Sequence, residues 1–565
     1  MLKNSRIWSI LTLALCLIPV SSGKASSLTH QAKTSFNARP QLFLTLVIDQ
    51  FRSDTLPKFR ERLLPAMNAK GEVGGFRYLM EKGAYFPYAQ HDVLQAMTGP
   101  GHASILTGSL PYMNGIGSND WYDDIKRDRT YCVEDPNFST IGAEKEKPHM
   151  GTSPRNLIGT TIGDELKNAG FASKVITIAL KDRAAILLGG HRADGAFWMD
   201  KSGKRWVSST FYFPDQKLPA WVDSVNKSLT QEEGTAFTWS AGGQGSGLSL
   251  KDSMALQDSW NQRIGKEFPH RLKKASAEAL SSPWGVTATL DLVKAALRSE
   301  SLGQDSIPDV LGVSFSTHDY IAHAFGPNSR EAEEIFLSED RAISELLNTI
   351  QKTVPGGLSN VTIALTADHG GPQNPDWLAS HRVPAGRIDE AALTQRLESS
   401  LTKKFGKPKD AASWIGYNAD FAWFLDPNAV KKSGETTEII EEVLRSELQK
   451  EPGALAVITA TDVRDGKLPA GRHERQIRNT WIPGRAGDVM LIPKPNFMPT
   501  GDTVTHLTGH NYDTTVPLIL AGKGIHAGTF ASPVRVIDLA PTASWILGVT
   551  PPALSEGRIL EEALR

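Results

Sequence analysis

Short runs of apolar, mostly β-branched residues recur along the chain, and each run is followed directly by polar residues. They occupy positions 42–48, 172–178, 310–315 and 361–366. Unbroken apolar runs of this length are typical of strands that are buried on both faces of a parallel sheet. Stretches with helical periodicity lie between them, for example at 283–297 and 330–350. The pattern therefore predicts an α/β fold, a doubly wound and mostly parallel sheet flanked by helices.

Two long stretches depart from this alternation. Positions 195–282 are rich in Trp, Ser, Gly and Gln, and they are predicted to form an inserted cap over the functional site instead of sheet core. Positions 387–482 mix helical patterns with charged loops and are predicted to be a second insertion. Residues 26–565 are therefore expected to form a single catalytic domain with two cap insertions.

The first 25 residues have the layout of a secretory signal peptide. Lys3 and Arg6 precede an apolar run at 7–20, and small residues follow it, so that cleavage is expected after Gly23 or Ala25. The apolar run is too short to span a membrane as a stable helix. We therefore expect a periplasmic or secreted protein whose mature chain has no membrane span.

Charge and cysteine content narrow the function classes. The 565 residues carry a formal net charge of −1, which offers no electrostatic argument for a nucleic-acid-binding surface or for an anionic membrane. Only Cys132 remains once the signal peptide is removed, so the mature chain has no internal disulfide and must be held by core packing. The sequence leaves the oligomeric state open.

Carboxylates and imidazoles follow three of the apolar runs. They are Asp49 after the first run, Asp319 and His323 after the third, and Asp368 with His369 after the fourth. The carboxyl ends of parallel strands meet at one edge of a sheet, where ligands bind. A spacing of four also places two side chains on one face of a helical turn. Each residue alone is as readily a cap or a loop residue, but their repetition at strand ends favours a metal site.

One of two late histidines, His506 or His510, would complete a set of six ligands. Mixed nitrogen and oxygen donors suit zinc, and six of them suit a pair of ions. Two metals about 4 Å apart can clamp the attacking and leaving oxygens of an in-line displacement. The ligands are scattered along the chain, so their spacing alone does not establish the set.

Residues suited to an anion occur at three further places. Thr98 precedes a predicted helix in AMTGPGHASILTG, where unpaired backbone N–H groups favour a phosphate, although an ordinary N-cap threonine is the better explanation of this segment in isolation. Asn119 offers a neutral hydrogen-bond donor. Lys181 and Arg183, two apart beyond a strand, can point at one anion, whereas basic residues at such positions are more often simply solvated.

The chain contains, in order, the motifs VIDQFRSD, TGPGHASILTG, GSNDWYD, SPRNLIGTTIGDEL, LKDRAAIL, DYIAHAFGPNS, TADHGG and THLTGHNYDTTVPL. This ordered set resembles the alkaline phosphatase superfamily. It is most similar to bacterial phosphate-irrepressible, zinc-dependent alkaline phosphatases, a group related to type I phosphodiesterases and nucleotide pyrophosphatases. The resemblance implies a hydrolase of small-molecule phosphate monoesters that uses two Zn²⁺ ions and a phosphothreonine intermediate.

The resemblance also implies a role for each candidate residue. One zinc would be bound by Asp49, Asp368 and His369, with Thr98 against it as the nucleophile. The other zinc would be bound by Asp319, His323 and His506. The non-bridging phosphoryl oxygens would be held by Asn119, Lys181 and Arg183. Lys and Arg at these positions go with the absence of a third, magnesium site, so no obligatory third metal is expected.

Two positions depart from the pattern of this group. His510 stands where an aromatic residue is usual, and Asp120 replaces a second Asn, so its charge either weakens dianion binding or points away. The main alternative is a phosphodiesterase or nucleotide pyrophosphatase on the same fold, which shares the ligands and the threonine but lacks the LKDR feature. A sulfatase motif is absent at TGPGH. An inactive phosphate-binding protein is disfavoured because every candidate catalytic residue is present.

Overall fold

The structure, a computed structural model, describes residues 39–143, 150–242, 264–468 and 470–565. The predicted signal peptide and the middle of the first predicted insertion lie outside the described residues. Within the described ranges, no helix combines the length and the apolar character that a membrane crossing requires.

The strands, in chain order, are β1 (Leu42–Ile48), β2 (Ala84–Gln90), β3 (Asp120–Asp123), β4 (Asp128–Tyr131), β5 (Glu134–Ile141), β6 (Met150–Thr152), β7 (Val175–Ala179), β8 (Gly195–Met199), β9 (Trp206–Ser209), β10 (Ala236–Trp239), β11 (His270–Lys273), β12 (Asp309–Phe315), β13 (Val361–Thr366), β14 (Gly386–Ile388), β15 (Ile415–Ala419), β16 (Ala422–Leu425), β17 (Ala454–Thr459), β18 (Val489–Pro493), β19 (Phe497–Pro499), β20 (Thr515–Gly522), β21 (Gly528–Thr529) and β22 (Val534–Arg535).

The α-helices of the described ranges are Thr55–Lys58, Phe76–Lys82, Thr98–Thr107, Pro111–Asn114, Ile162–Asn168, Asp182–Gly189, Ala220–Glu232, Pro283–Ser299, Thr317–Phe325, Arg330–Thr353, Pro375–Ser380, Glu390–Phe405, Pro427–Ser433, Thr437–Leu448, Ala460–Asp465, Arg472–Thr480, Asn511–Thr514 and Leu539–Leu547.

The main sheet is parallel at its centre and mixed at its sides. Strand β1 lies between β12 and β13 and is parallel to both, while β7 and β8 extend the parallel part beyond β12. Strand β20 pairs antiparallel with β13, and β9 antiparallel with β8. All residues of β1, β12 and β13 are buried, which explains their unbroken apolar sequences. The predicted α/β fold is confirmed, and the complete sheet is more mixed than expected.

The register of the three central strands brings their carboxyl ends together. Val47 lies opposite Ser314 on one side and Thr366 on the other. The segments that leave these strands therefore start from one edge of the sheet, which is where the predicted ligands occur.

The first predicted insertion, 195–282, is wrong at its beginning. Strand β8, GAFWM, is fully buried and pairs in parallel with β7, and β9 continues the same sheet. Five apolar residues are enough for a buried strand, but the polar composition of the following stretch hid this one. The rest of the described stretch contains the helix Ala220–Glu232 and the two-stranded pair of β10 and β11.

The second predicted insertion, 387–482, corresponds to a separate layer of structure. Its centre is a four-stranded antiparallel sheet in the order β15-β16-β18-β17. Strand β18 lies beyond the predicted end at 482, and β14 pairs with β19 at the base of the segment. We call residues 386–499 the lobe.

Candidate metal and phosphate site

Three predicted ligands meet where β1 and β13 end. Asp49 directly follows β1, and Asp368 and His369 follow β13, with all three side chains buried. The His369 Nε2 atom lies 3.5 Å from Asp49 Oδ1 and 3.3 Å from Asp368 Oδ2. One donor atom from each of the three lies within 4.8 Å of the others. We call these three residues the inner group.

A second set of predicted ligands lies beside the first. Asp319 and His323 occupy one face of the helix Thr317–Phe325, as their spacing predicts, with His323 Nε2 3.3 Å from Asp319 Oδ1. His506 comes from a distant loop and places its Nε2 atom 3.4 Å from the same carboxylate oxygen. We call Asp319, His323 and His506 the outer group. The His369 and His506 rings stack with their centroids 3.5 Å apart. One donor atom each of Asp319, His369 and His506 also lies within 4.8 Å of the others.

The three imidazoles share one orientation. In each ring Nδ1 lies within 2.9 Å of a backbone carbonyl oxygen, that of Val504 for His323, of Gly370 for His369 and of Ala96 for His506. A carbonyl only accepts, so Nδ1 carries a hydrogen in each ring, and Nε2 is the nitrogen left to face a metal. Burial holds the pKa of His369 well below its ordinary value, so this ring is neutral. A lone pair that faces a carboxylate oxygen calls for a cation between them.

The negative charge of the inner group also requires a cation. Burial, and then repulsion from Asp319 and Asp368, raise the pKa of Asp49 well above its ordinary value. Within the described residues, Asp49 Oδ1 and His369 Nε2 make no hydrogen bond although both are buried. Leaving such atoms unsatisfied is costly, and a metal ion removes the cost. The donors are imidazole nitrogens and carboxylate oxygens, so the residues present fit zinc.

Thr98 lies at the start of a helix that points its N-terminus into the site. It is the first residue of the helix Thr98–Thr107, which includes Gly99, Pro100 and Gly101, whereas the sequence predicts a tight turn at these three residues and a helix from His102. The next backbone N–H, that of Gly99, donates to Asn119 Oδ1 at 2.8 Å and so anchors Asn119 at this helix end. A side chain at Gly101 would collide with the Asp368 backbone, so glycine is what lets the helix dock against the inner group.

Lys181 contacts both ligand groups. Its Nζ atom lies 2.7 Å from Asp49 Oδ2 and 2.6 Å from Asp319 Oδ2, and it donates to the Thr98 hydroxyl oxygen at 3.3 Å. Although burial lowers the pKa of Lys181, the Asp319 and Asp49 carboxylates raise it above its ordinary value. The predicted role, a contact to phosphoryl oxygens, did not anticipate these two carboxylate contacts. They arise because buried carboxylates draw the nearest cation.

Arg183 is the second cation that contacts Thr98, and Tyr131 holds its guanidinium group in position. Its Nη2 atom donates to the Thr98 hydroxyl oxygen at 3.2 Å, and its Nη1 atom donates to the Tyr131 hydroxyl at 3.3 Å. The Tyr131 hydroxyl in turn donates to Asp182 Oδ1 at 2.6 Å. The buried Arg183 Nε makes no hydrogen bond within the described ranges, which leaves a donor for an anion.

A cavity of about 320 Å³ opens above these groups. It is lined by Met97, Thr98, Asn119, Lys181, Arg183, Asp319, Tyr320, His323, Asp420, Thr505 and His506. The outer group, the predicted nucleophile and the three predicted phosphate-binding residues therefore line one cavity, while the inner group is buried and does not line it. No described residue of 195–282 lines this cavity, so the described part of that stretch does not form its wall.

The structure separates the two late histidines and resolves the position of Asp120. His510 Nε2 lies 2.9 Å from the Pro493 carbonyl oxygen, and its ring packs against Tyr512 instead of joining the ligands. His506 is thus the residue that reaches the outer group. Asp120 forms an ion pair with Arg129, so its charge is neutralised locally.

Sequence reasoning missed three residues at the site. His102 lies four positions after Thr98, contacts the Thr98 carbonyl oxygen at 2.9 Å and lies 3.2 Å from Asp368 Oδ2. The helical spacing from Thr98 could have identified it. Tyr320 adjoins Asp319 on its helix, which is a weaker signal. Asp420 comes from a turn of the lobe, and nothing in the local sequence points to it.

Comparison with known proteins shows which family and which solved structures the chain is similar to. The family model described as type I phosphodiesterase / nucleotide pyrophosphatase matches residues 43–513. The chain is 33% identical to alkaline phosphatase PhoV of Synechococcus elongatus, over 98% of this chain and 99% of that protein. It is 31% identical to alkaline phosphatase PafA of Elizabethkingia meningoseptica, over 95% of this chain and 97% of that protein. The crystal structure of wild-type PafA superposes with a TM-score of 0.81 at 28% identity, covering 93% of this chain and 99% of that one.

Proposed function

The chain belongs to the type I phosphodiesterase / nucleotide pyrophosphatase family, and we propose that it is an alkaline phosphatase that hydrolyses small-molecule phosphate monoesters. Two relatives named alkaline phosphatase align over nearly the whole chain, which supports a phosphatase on this fold. One observation carries the proposal furthest. The Thr98 hydroxyl at a helix N-terminus accepts hydrogen bonds from both Lys181 and Arg183, next to two sets of metal ligands.

The proposal includes two zinc ions. The inner group, Asp49, Asp368 and His369, would hold one ion beside Thr98. The outer group, Asp319, His323 and His506, would hold the other. When bound, the two ions supply Lewis-acid stabilisation of the negative charge on the attacking and departing oxygens.

The residues of the chain divide the reaction between them. The Thr98 oxygen attacks phosphorus and forms a phosphothreonine, and the alcohol of the substrate departs. Lys181 and Arg183 donate to the Thr98 oxygen, which stabilises its ionised form before attack. Together with Asn119 they meet the charge on the non-bridging phosphoryl oxygens, the main demand in phosphoryl transfer. Water then cleaves the phosphothreonine, which releases phosphate and restores Thr98.

The description of the family model favours one alternative, a phosphodiesterase. A monoester presents two negative charges to the site, and a diester presents one charge and a second bulky group. A buried lysine and a half-buried arginine that both donate to Thr98 match the dianion better. The monoester is therefore the preferred substrate in this proposal.

The deciding experiment compares an aryl phosphate monoester with the corresponding diester, using the purified zinc-loaded enzyme. We expect kcat/KM to be much higher for the monoester, activity to disappear with a chelator and to return with zinc, and metal analysis to find about two zinc ions per chain. Radiolabelled phosphate trapped at low pH should map to Thr98. A wild-type preference for the diester would replace this proposal with the phosphodiesterase.

We also propose that the protein is exported and acts in the periplasm or outside the cell on small molecules, without a nucleic-acid partner. The support is the charged start, apolar run and small residues of the first 25 positions. Amino-terminal sequencing of the protein purified from its native cell should begin after Gly23 or Ala25. A first residue at position 1 would contradict export by this route.

A further inference from the structure

Asp420 is an acidic residue in the wall of a cavity that otherwise suits an anion. It lines the cavity with Thr98, Lys181 and Arg183, although it comes from the lobe and not from the main sheet. Thr505 and His506 line the same cavity, and Asp502 acts electrostatically on both Asp420 and His323. Asp420 is therefore within electrostatic reach of the loop that carries His506, and also of Asp120, on which Arg183 acts.

The Asp420 side chain has no cationic partner. Among the residues that the structure describes, its carboxylate makes no hydrogen bond and no ion pair, and only its backbone carbonyl oxygen is engaged. The nearby charges that act on it are those of Glu390, Asp120 and Asp502, all of the same sign. Burial and these charges raise the pKa of Asp420 to about 7, so the group is mostly ionised above neutral pH. Asp120, by contrast, has Arg129 as its partner.

Asp420 lies in a turn whose backbone conformation is unfavourable, and two hydrogen bonds hold this turn in place. Asp420 and Phe421 have φ angles of 54° and 62°, a left-handed conformation that is unfavourable for a bulky residue such as phenylalanine. Gln95 Nε2 donates to the Asp420 carbonyl oxygen at 3.0 Å, and the Phe421 N–H donates to Glu390 Oε1 at 2.8 Å. Gln95 lies three residues before Thr98, so the turn is tied to the segment that carries the nucleophile.

The cavity wall consequently carries charges of both signs, those of Lys181 and Arg183 and that of the Asp420 carboxylate. A ligand that matches both sides carries a dianionic phosphoryl group and, a short distance away, a positive charge. We propose that Asp420 is a specificity-determining residue that favours phosphate monoesters of amino alcohols, whose leaving group bears an ammonium, and disfavours anionic leaving groups. This inference rests on the proposed phosphatase function and names its substrate class.

Three monoesters of nearly equal size test the inference on the zinc-loaded enzyme: 2-aminoethyl phosphate, propyl phosphate and 2-carboxyethyl phosphate. They differ only in an ammonium, a methyl or a carboxylate at the end of the leaving group. At about pH 8.5 a primary ammonium keeps its proton and the Asp420 carboxylate is ionised. We expect the wild-type kcat/KM to fall in that order, with an ammonium-to-methyl ratio of about ten or more, as for one charge-assisted hydrogen bond.

Two matched variants assign the effect. Asp420→Asn should lower the ammonium-to-methyl ratio by about ten-fold or more relative to the wild type, and the ratio that remains reflects the better leaving ability of the ammonium-bearing alcohol. Asparagine tolerates the left-handed backbone, so the turn is kept. Asp502→Asn removes the same charge from the same neighbourhood without touching the cavity wall, and should keep the ratio. A wild-type ratio near one, a ratio that Asp420→Asn leaves unchanged, or equal losses in both variants would each overturn the assignment.

A binding measurement separates this inference from the proposed function. Calorimetry on the zinc-loaded enzyme compares 2-aminoethylphosphonate with propylphosphonate, which bind without being hydrolysed. Tighter binding of the aminoethyl compound to the wild type, lost in Asp420→Asn, supports the role of Asp420 even if no monoester is turned over. Equal binding of both compounds refutes that role even if aryl monoesters are hydrolysed rapidly.

Discussion

The inner and outer ligand groups use the same kinds of side chain but are built in different ways. The inner group rests on two neighbouring parallel strands, β1 and β13, and its members have exposed fractions of 1% or less. The outer group combines one helical turn with a loop from the other end of the chain, and both of its histidines are 7% exposed. The inner group is thus part of the sheet core, whereas the outer group lines the cavity and depends on how a loop docks.

This difference assigns different tasks to the two groups. A site inside the core is preorganised by packing that the whole sheet shares, so its ligands need little further support. The outer group needs local fastening, which the hydrogen bonds of His323 to Val504 and of His506 to Ala96 provide. Perturbation should therefore affect the outer group first and the inner group only with the fold.

The largest effect is expected from the residue between the two groups. Thr98→Ala should lower kcat by roughly 10³-fold or more, because the nucleophile acts as a unit with the surrounding charges. Zinc content and the melting temperature should stay close to those of the wild type, since Thr98 is not needed to hold the helix. Thr98→Ser is the matched control and should keep partial activity through its primary hydroxyl. Phosphate trapped on another residue would show that the two groups serve a different nucleophile.

The next prediction separates the groups directly. His506→Ala should reduce zinc from about two ions per chain to about one and lower activity by at least about 100-fold, because losing a ligand costs no less than losing a ligand's support. His510→Ala is the control, since His510 contacts the Pro493 carbonyl oxygen and not the ligands. Its zinc content should be unchanged. Loss of both ions in His506→Ala would mean that the groups form one inseparable site, with His369 as their shared member.

The same contrast decides what the sequence can predict. The bounds of β1 and β13, and the ligands Asp49, Asp368 and His369, follow from local pattern, because an apolar run and the residue after it are neighbours in the chain. Asp319 and His323 follow from helical spacing. These positions require only that the strands share a sheet edge.

Other features depend on contacts between distant segments. The residue pattern alone leaves His506 and His510 open, and only the family resemblance selects His506, because its position depends on a hydrogen bond to Ala96, 410 positions away. The lobe turn that carries Asp420 reaches the cavity through Gln95, 325 positions away. Strand β8 was hidden for the opposite reason, since its apolar run is short and a long polar stretch follows it.

Lys181 and Arg183 allow a finer comparison, because only Lys181 contacts both ligand groups. Either alanine variant should lower monoester kcat/KM by about 10- to 100-fold, the value of one or two charge-assisted hydrogen bonds. Diester hydrolysis should fall much less, because the diester carries less phosphoryl charge.

Zinc retention should distinguish the two variants. Lys181→Ala removes the cation between Asp49 and Asp319, so the chelator concentration that halves activity should change, whereas Arg183→Ala should match the wild type. Titration of each variant with a chelator provides the measurement. Equal losses for monoester and diester would instead assign both residues to structure and favour the phosphodiesterase.

The smallest effect is expected from Tyr131, which forms a hydrogen bond with Arg183 and contacts neither ligand group. Burial, and then the Asp182 charge, raise the pKa of Tyr131 well above its ordinary value, so its hydroxyl keeps its proton and donates to Asp182. Tyr131→Phe removes this bond and the acceptor for Arg183 Nη1. The net value of a neutral hydrogen bond is about 0.5–1.5 kcal/mol, so monoester kcat/KM should fall by about 2- to 10-fold.

Three readouts test whether Tyr131 acts through Arg183. The monoester-to-diester ratio should narrow in Tyr131→Phe, because the misplaced guanidinium serves the dianion more than the monoanion, and zinc content should be unchanged. Tyr112→Phe is the matched control, since its hydroxyl also donates to a carboxylate, that of Glu556, away from the cavity. It should leave the ratio as it is. Equal losses of monoester and diester hydrolysis in Tyr131→Phe would contradict positioning through Arg183. In an Arg183→Ala background, Tyr131→Phe should cause no further loss, and this result would support positioning through Arg183.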